Sequence, residues 1–134
     1  MTIEEAIEEL MFQSGSHPDF ENERWTTGFL GQLRPFKGVL HEENYHLVIR
    51  ALKVLAPKLK DDFIDKRIIS SIWGICHLGR MWALYPDGML QSNKLLTKEQ
   101  ILQIDNWLCD ISDITNSLLD DVDTDEAFWN YNQR

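Results

Sequence analysis

Trp73, His77 and Arg80 stand four and three residues apart in the most apolar stretch of the chain, SSIWGICHLGRMWALYPDG, residues 70–88. On a helix those spacings put the three side chains on adjacent turns of one face. An indole beside an imidazole and a guanidinium can hold a carboxylate or phosphate while stacking on a flat apolar body. The competing account is a boundary face on which Arg80 pairs with a carboxylate from acidic surroundings. The first account makes Trp73, His77 and Arg80 a ligand-binding face; the second makes them structural.

Other chemistry-bearing residues lead to exclusions. Cys76 and His77 are consecutive, so on a helix they diverge by about 100° and do not form a thiolate–imidazole dyad. Cys76 reads instead as a small buried hydrophobe. In HEENYH, residues 41–46, the two histidines are five apart, whereas zinc chelation from one helical face needs four. Glu43 and His46 match the Glu-x-x-His spacing of di-metal bundles, but no second such pair exists. Residues 121–132 begin like a calcium loop with Asp121, Asp123 and Asp125. Glu126 then stands where the loop needs glycine, and Asn132 where it needs a bidentate glutamate. With no glycine-rich phosphate loop, nucleophile elbow or Ser/His/Asp arrangement, neither an enzyme nor a metal or cofactor site is expected.

The elements that carry these residues read as helices. Thr2 and Glu5 make a capping box ahead of Ile3, Ala6, Ile7, Leu10 and Met11, with Gly15 as the stop. A second helix is expected to place Trp25, Phe29, Leu33 and Phe36 on one face before Pro35 ends it, although Gly28 and Gly31 weaken it. A third runs from about His41 to Leu55, buries Tyr45, Val48, Ile49, Leu52 and Leu55, and ends or kinks at Pro57. The fourth, about 61–84, is the central apolar one and closes at Tyr85-Pro86-Asp87-Gly88. It sets Ile64, Ile68, Ile72, Ile75, Leu78, Gly79 and Trp82 against Asp62, Lys66, Trp73, His77 and Arg80. Thr97 and Gln100 start the last helix, whose seam is Ile101, Ile104, Leu108, Ile111, Thr115 and Leu118. No alternating strand pattern appears. The expectation is an all-α, single-domain bundle of four to five helices over residues 1–134, with an acidic-aromatic C-terminal tail at about 120–134.

Composition agrees. A chain of 134 residues with 43% hydrophobic residues can build a core without disulfide staples. Its two cysteines lack any paired spacing, which suits a reducing compartment. Four Glu and no Lys or Arg occupy residues 1–10, unlike a secretory leader, and Ser70, Ser71, His77 and Arg80 interrupt the apolar run that a membrane span would need. A soluble cytoplasmic protein is therefore expected.

Net charge is −9, but it is unevenly placed: seven acidic and one basic residue in 1–33, eight basic and five acidic in 34–67, ten acidic and four basic in 68–134. Such a surface repels a phosphate backbone, so no nucleic acid is expected. It suits a basic protein partner. The tail supplies a candidate surface: Asp120, Asp121, Asp123, Asp125 and Glu126 beside Trp129. Phe128 and Trp129 can alternatively fold back onto the bundle.

In type, though through no particular residues, the chain looks like the short, acidic, helical immunity proteins and antitoxins that neutralise basic toxins. That resemblance implies a protein-interaction module that occludes a basic partner. The alternatives are a binder of anionic small molecules at Trp73, His77 and Arg80, and a structural homodimer.

Overall fold

The computed structural model describes residues 1–134 and is all-α, with no strand; four long helices form the bundle. Helix α1, Ile3–Gln13, begins as its capping box dictates: the Glu5 N–H donates to Thr2 Oγ1 at 3.1 Å and the Thr2 N–H to Glu5 Oε1 at 2.9 Å. Gly15 ends the segment at φ +64°, a left-handed conformation that glycine adopts without a Cβ clash. The second capping box starts the last long helix in the same way, with Gln100 N–H on Thr97 Oγ1 at 3.1 Å.

The expected second helix is not there. Only Arg24–Thr27 (α2) is helical, and Phe29, Leu30 and Leu33 reach the core from irregular backbone. Two glycines explain the departure. A Cβ on Gly28 would meet the Phe12 carbonyl oxygen at 2.6 Å, and one on Gly31 the Trp25 carbonyl oxygen at 2.6 Å. The segment is pressed against α1 and against itself too tightly for a regular helix. Buried amides replace the missing helical hydrogen bonds: Gln13 Oε1 accepts the Phe29 N–H at 2.7 Å, and Asn44 donates to the Thr27 carbonyl at 3.0 Å.

Helix α3, Glu42–Leu59, runs past the expected end near Leu55 and carries Pro57 in its final turns. Leu55, Ala56 and Leu59 are all essentially fully buried. Burying two leucines contributes about 3–6 kcal/mol, enough to offset the roughly 3 kcal/mol that an internal proline costs.

Helix α4 is Lys66–Gly79, shorter than the expected 61–84 at both ends. Asp65 starts it by accepting the Arg67 N–H at 3.0 Å, so Asp62 and Ile64 lie outside the helix. Arg67 then ties this cap to α1 through Glu4 at 2.8 Å. At the other end the backbone widens into a π turn, Arg80–Leu84, with Tyr85 N–H bonded to the Arg80 carbonyl at 3.0 Å. A short helix α5, Met89–Ser92, leads to α6, Lys98–Leu119.

Helix α1 packs on α3 and α4, and α6 packs on α3, α4 and the π turn. The buried side chains form one contiguous core cluster that draws on all four long helices, the 29–33 segment and Phe128. No helix is long and apolar enough to cross a membrane.

The tail folds back through two short helices, α7 (Thr124–Ala127) and α8 (Trp129–Asn132). Phe128 is 2% exposed, whereas Trp129 is 59% exposed, so only one of the two aromatics anchors the segment. Beyond Phe128, Tyr131 OH meets His46 Nδ1 at 2.7 Å and Lys53 donates to Asn132 at 2.7 Å. Arg134 pairs with Asp110, which also accepts the Tyr45 hydroxyl at 2.5 Å. Burial first, and then the bond to Asp110, hold the Tyr45 phenol far above its ordinary value. A raised phenol pKa contributes stability that is present below pH 10.0 and is lost as the pH rises through the folded value. Tyr45→Phe is expected to cost about 1.5 kcal/mol near neutrality, and its deficit against the parent should narrow above pH 10.0. Urea denaturation at a series of pH values measures both.

Candidate functional site

A groove of about 440 Å³ runs between α4 with its π turn and α6. Its floor is apolar: Ile72 and Cys76 are buried, and Ile69 is half-buried. One wall carries Trp73, His77 and Arg80, the three residues singled out from the sequence, and the structure brings them into a single concavity. The other wall comes from α6 through Ser112, Thr115, Asn116 and Leu119, and Tyr85 lies beyond the π turn.

The placement has local causes. Ile68, Ile72 and Ile75 point into the core, so Trp73, His77 and Arg80 are left on the flank. Trp73 is 68% exposed and His77 is exposed. Arg80 is half-buried and differs from its neighbours: its guanidinium donates to Ser112 Oγ at 2.8 Å and lies 3.5 Å from the Leu108 carbonyl. The carboxylate partner expected from the acidic surroundings is not present. Arg24, Arg67 and Arg134 each sit on a carboxylate, while the partners of Arg80 are neutral. The reason is geometric: Arg80 faces the Leu108–Ser112 turn of α6, whose groove-lining side chain is the Ser112 hydroxyl.

Cys76 belongs to the same network and not to an imidazole pair. Ser112 Oγ donates to Cys76 Sγ at 3.3 Å, and burial pushes the Cys76 thiol up, only partly countered by Ser112 and Arg80. It is a protonated thiol in the groove floor and a poor nucleophile. The groove therefore offers a cation, an indole face, an imidazole, three hydroxyls and an amide around an apolar floor. It carries no activated nucleophile and no acid–base pair. The arrangement has room for an anionic head at Arg80 with an apolar body along Trp73 and Ile69.

Sequence reasoning missed Ser112, Asn116 and Tyr85. Ser112 and Asn116 are one turn apart on α6, a polar interruption beside the apolar seam that faces a site only once the register of α6 against α4 is known. The expected partner-binding residues Asp120, Asp121, Asp123, Asp125, Glu126 and Trp129 are all exposed around α7. Asp123 caps α7 with a long 3.4 Å bond from the Glu126 N–H, and none of the five acids forms an ion pair. His41 precedes α3 as its N-cap residue, whereas His46 lies on the helix and turns to Tyr131.

The two thiols provide a check on the groove floor. Exposed Cys109 should react with a thiol reagent in the native protein, and buried Cys76 at least about tenfold more slowly until denaturant is added. Mass spectrometry of time-quenched samples resolves the two sites. No protein-family model matches the chain, and no match is found among curated proteins or solved structures.

Proposed function

We propose that the protein is a binding protein whose α4–α6 groove takes an amphipathic anion: a carboxylate or phosphate ester attached to a flat apolar body. The observation that carries this reading is the Arg80 guanidinium, half-buried on the wall of an apolar groove and bonded only to neutral partners. A half-buried charge without a counterion gains from an anion that brings its own apolar surface into the groove. Exposed Trp73 supplies the stacking face, and His77 stands one turn from each of the other two. Two free cysteines favour a reducing, cytoplasmic setting.

The test is a thermal-shift screen of aryl carboxylates, fatty acids and aryl phosphates. A ligand at a hundredfold excess over its Kd should raise Tm by about 10 °C for a chain of this size. Arg80→Met should abolish that rise while costing the unliganded protein about 1 kcal/mol, the worth of its bond to Ser112. A rise of the same size in Arg80→Met contradicts the proposal.

A second reading is favoured by one observation: Phe128 anchors the tail and leaves Trp129 59% exposed beside five exposed, unpaired acids. Such a patch suits a basic protein partner, with the charges setting the association rate and the indole the affinity. On this reading, a stoichiometric basic partner is retained from host lysate at low salt, weakens as salt rises and is lost with Trp129→Ala. Retention indifferent to both salt and Trp129 contradicts it.

A further inference from the structure

The α4–α6 groove has two unlike ends, and the helix register fixes the distance between them. The two helices run antiparallel: Gly79 meets Leu108, and one turn earlier on α4 Cys76 Sγ lies 3.3 Å from Ser112 Oγ. A further turn back, the same register sets Ile72 and Trp73 opposite Thr115 and Asn116, and after another turn Ile69 opposite Leu119. At one end the Arg80 guanidinium is held on Ser112 Oγ at 2.8 Å. At the other lie Ile69, Leu119 and the exposed Trp73. An aromatic side chain on a helix leans toward the N-terminus, which lays the Trp73 indole over the turn that carries Ile69.

Between the ends the floor has no free polar group. Ile72 is 4% exposed and Cys76 8%. Thr115 Oγ1 donates to the Ile111 carbonyl of its own helix at 2.7 Å, and the Ser112 hydroxyl is taken by Arg80 and Cys76. His77 and Asn116, the polar side chains at this level, stand exposed on the rim. No acidic residue lines the groove, and its single guanidinium matches a singly charged head. Arg80 and Trp73 are two helical turns apart and lean the same way, so cation and stacking face stay about 10 Å apart. An extended chain advances about 1.2 Å per bond, so about five methylenes bridge the two. We infer that the groove, in the anion-binding role proposed above and resting on it, selects arylalkanoates with a spacer of that length. The carboxylate sits on Arg80, the methylenes over Cys76 and Ile72, and the ring on Trp73 above Ile69.

The experiment is isothermal titration calorimetry of the native protein, at constant salt and pH, with phenylacetate, phenylbutyrate, phenylhexanoate and phenyloctanoate. The expected result is a Kd that falls about two- to fourfold per methylene as far as phenylhexanoate and is level from there to phenyloctanoate. Trp73→Ala, on an exposed side chain, should weaken phenylhexanoate about fivefold and leave phenylacetate unchanged. Arg80→Met should weaken every member of the series. If Trp73→Ala fails to fold, the spacer series in the parent protein still decides the matter. A Kd that depends on Arg80 but is flat along the series, is lowest for phenylacetate or keeps falling through phenyloctanoate overturns the spacing and leaves the proposed function standing. Absence of binding by every member overturns the inference, and the proposed function falls with it only when the wider anion screen is also blank.

Discussion

The groove depends on a single close approach. Gly79 closes α4 against α6, and a Cβ there would lie 3.0 Å and 3.2 Å from the two methyl carbons of Leu108. A Cβ there would force the Leu108 methyls back by a few tenths of an ångström, and the contact sets the position of the residues next to it. Arg80, its immediate neighbour, is delivered to the turn of α6 that carries the Leu108 carbonyl and Ser112. Immediately afterwards the backbone widens into the π turn, which inserts extra chain per turn and carries Tyr85 to the groove. A wider contact at Gly79 would separate Arg80 from Ser112, and Ser112 from Cys76.

The rest of the bundle supports that contact by pinning the ends of its helices. Arg67 bridges the cap of α4 to Glu4 on α1, and Arg134 with Tyr45 brackets Asp110 on α6. Between them, the irregular 28–33 segment is held in the core by Gln13, whose side chain and main chain together take the N–H groups of Phe29 and Leu30. Buried amides thus perform at this segment the task that regular helical bonds perform elsewhere. Among these amides, the Gln32 nitrogen is the one with no partner.

Most of the fold was legible in the sequence wherever a signal was local. Both capping boxes, the Gly15 stop and the apolar faces of α3 and α6 depend on residues within one or two turns, and they appear as read, except that Ile101 is half-buried and Trp107 and Ile114 join the buried face of α6. The failures are non-local. Gly28 and Gly31 looked like weak points in a helix, but they are sites of backbone contact with Phe12 and Trp25, which no periodicity reveals. Pro57 looked like an end, but the burial of Leu59 carries α3 past it. In the site, one face of α4 was readable because Trp73, His77 and Arg80 share it. The opposite wall from α6, and the absence of a carboxylate beside Arg80, depend on how two helices are registered in space.

In the proposed function, Arg80 is held without a protein counterion and receives one from a ligand. A crystal structure grown with an aryl carboxylate tests this most directly. The predicted result is a carboxylate within hydrogen-bond distance of the Arg80 guanidinium, with the ring against Trp73 and over Ile69. A ligand bound elsewhere with the groove empty, or Arg80 turned away onto a protein carboxylate, would contradict it.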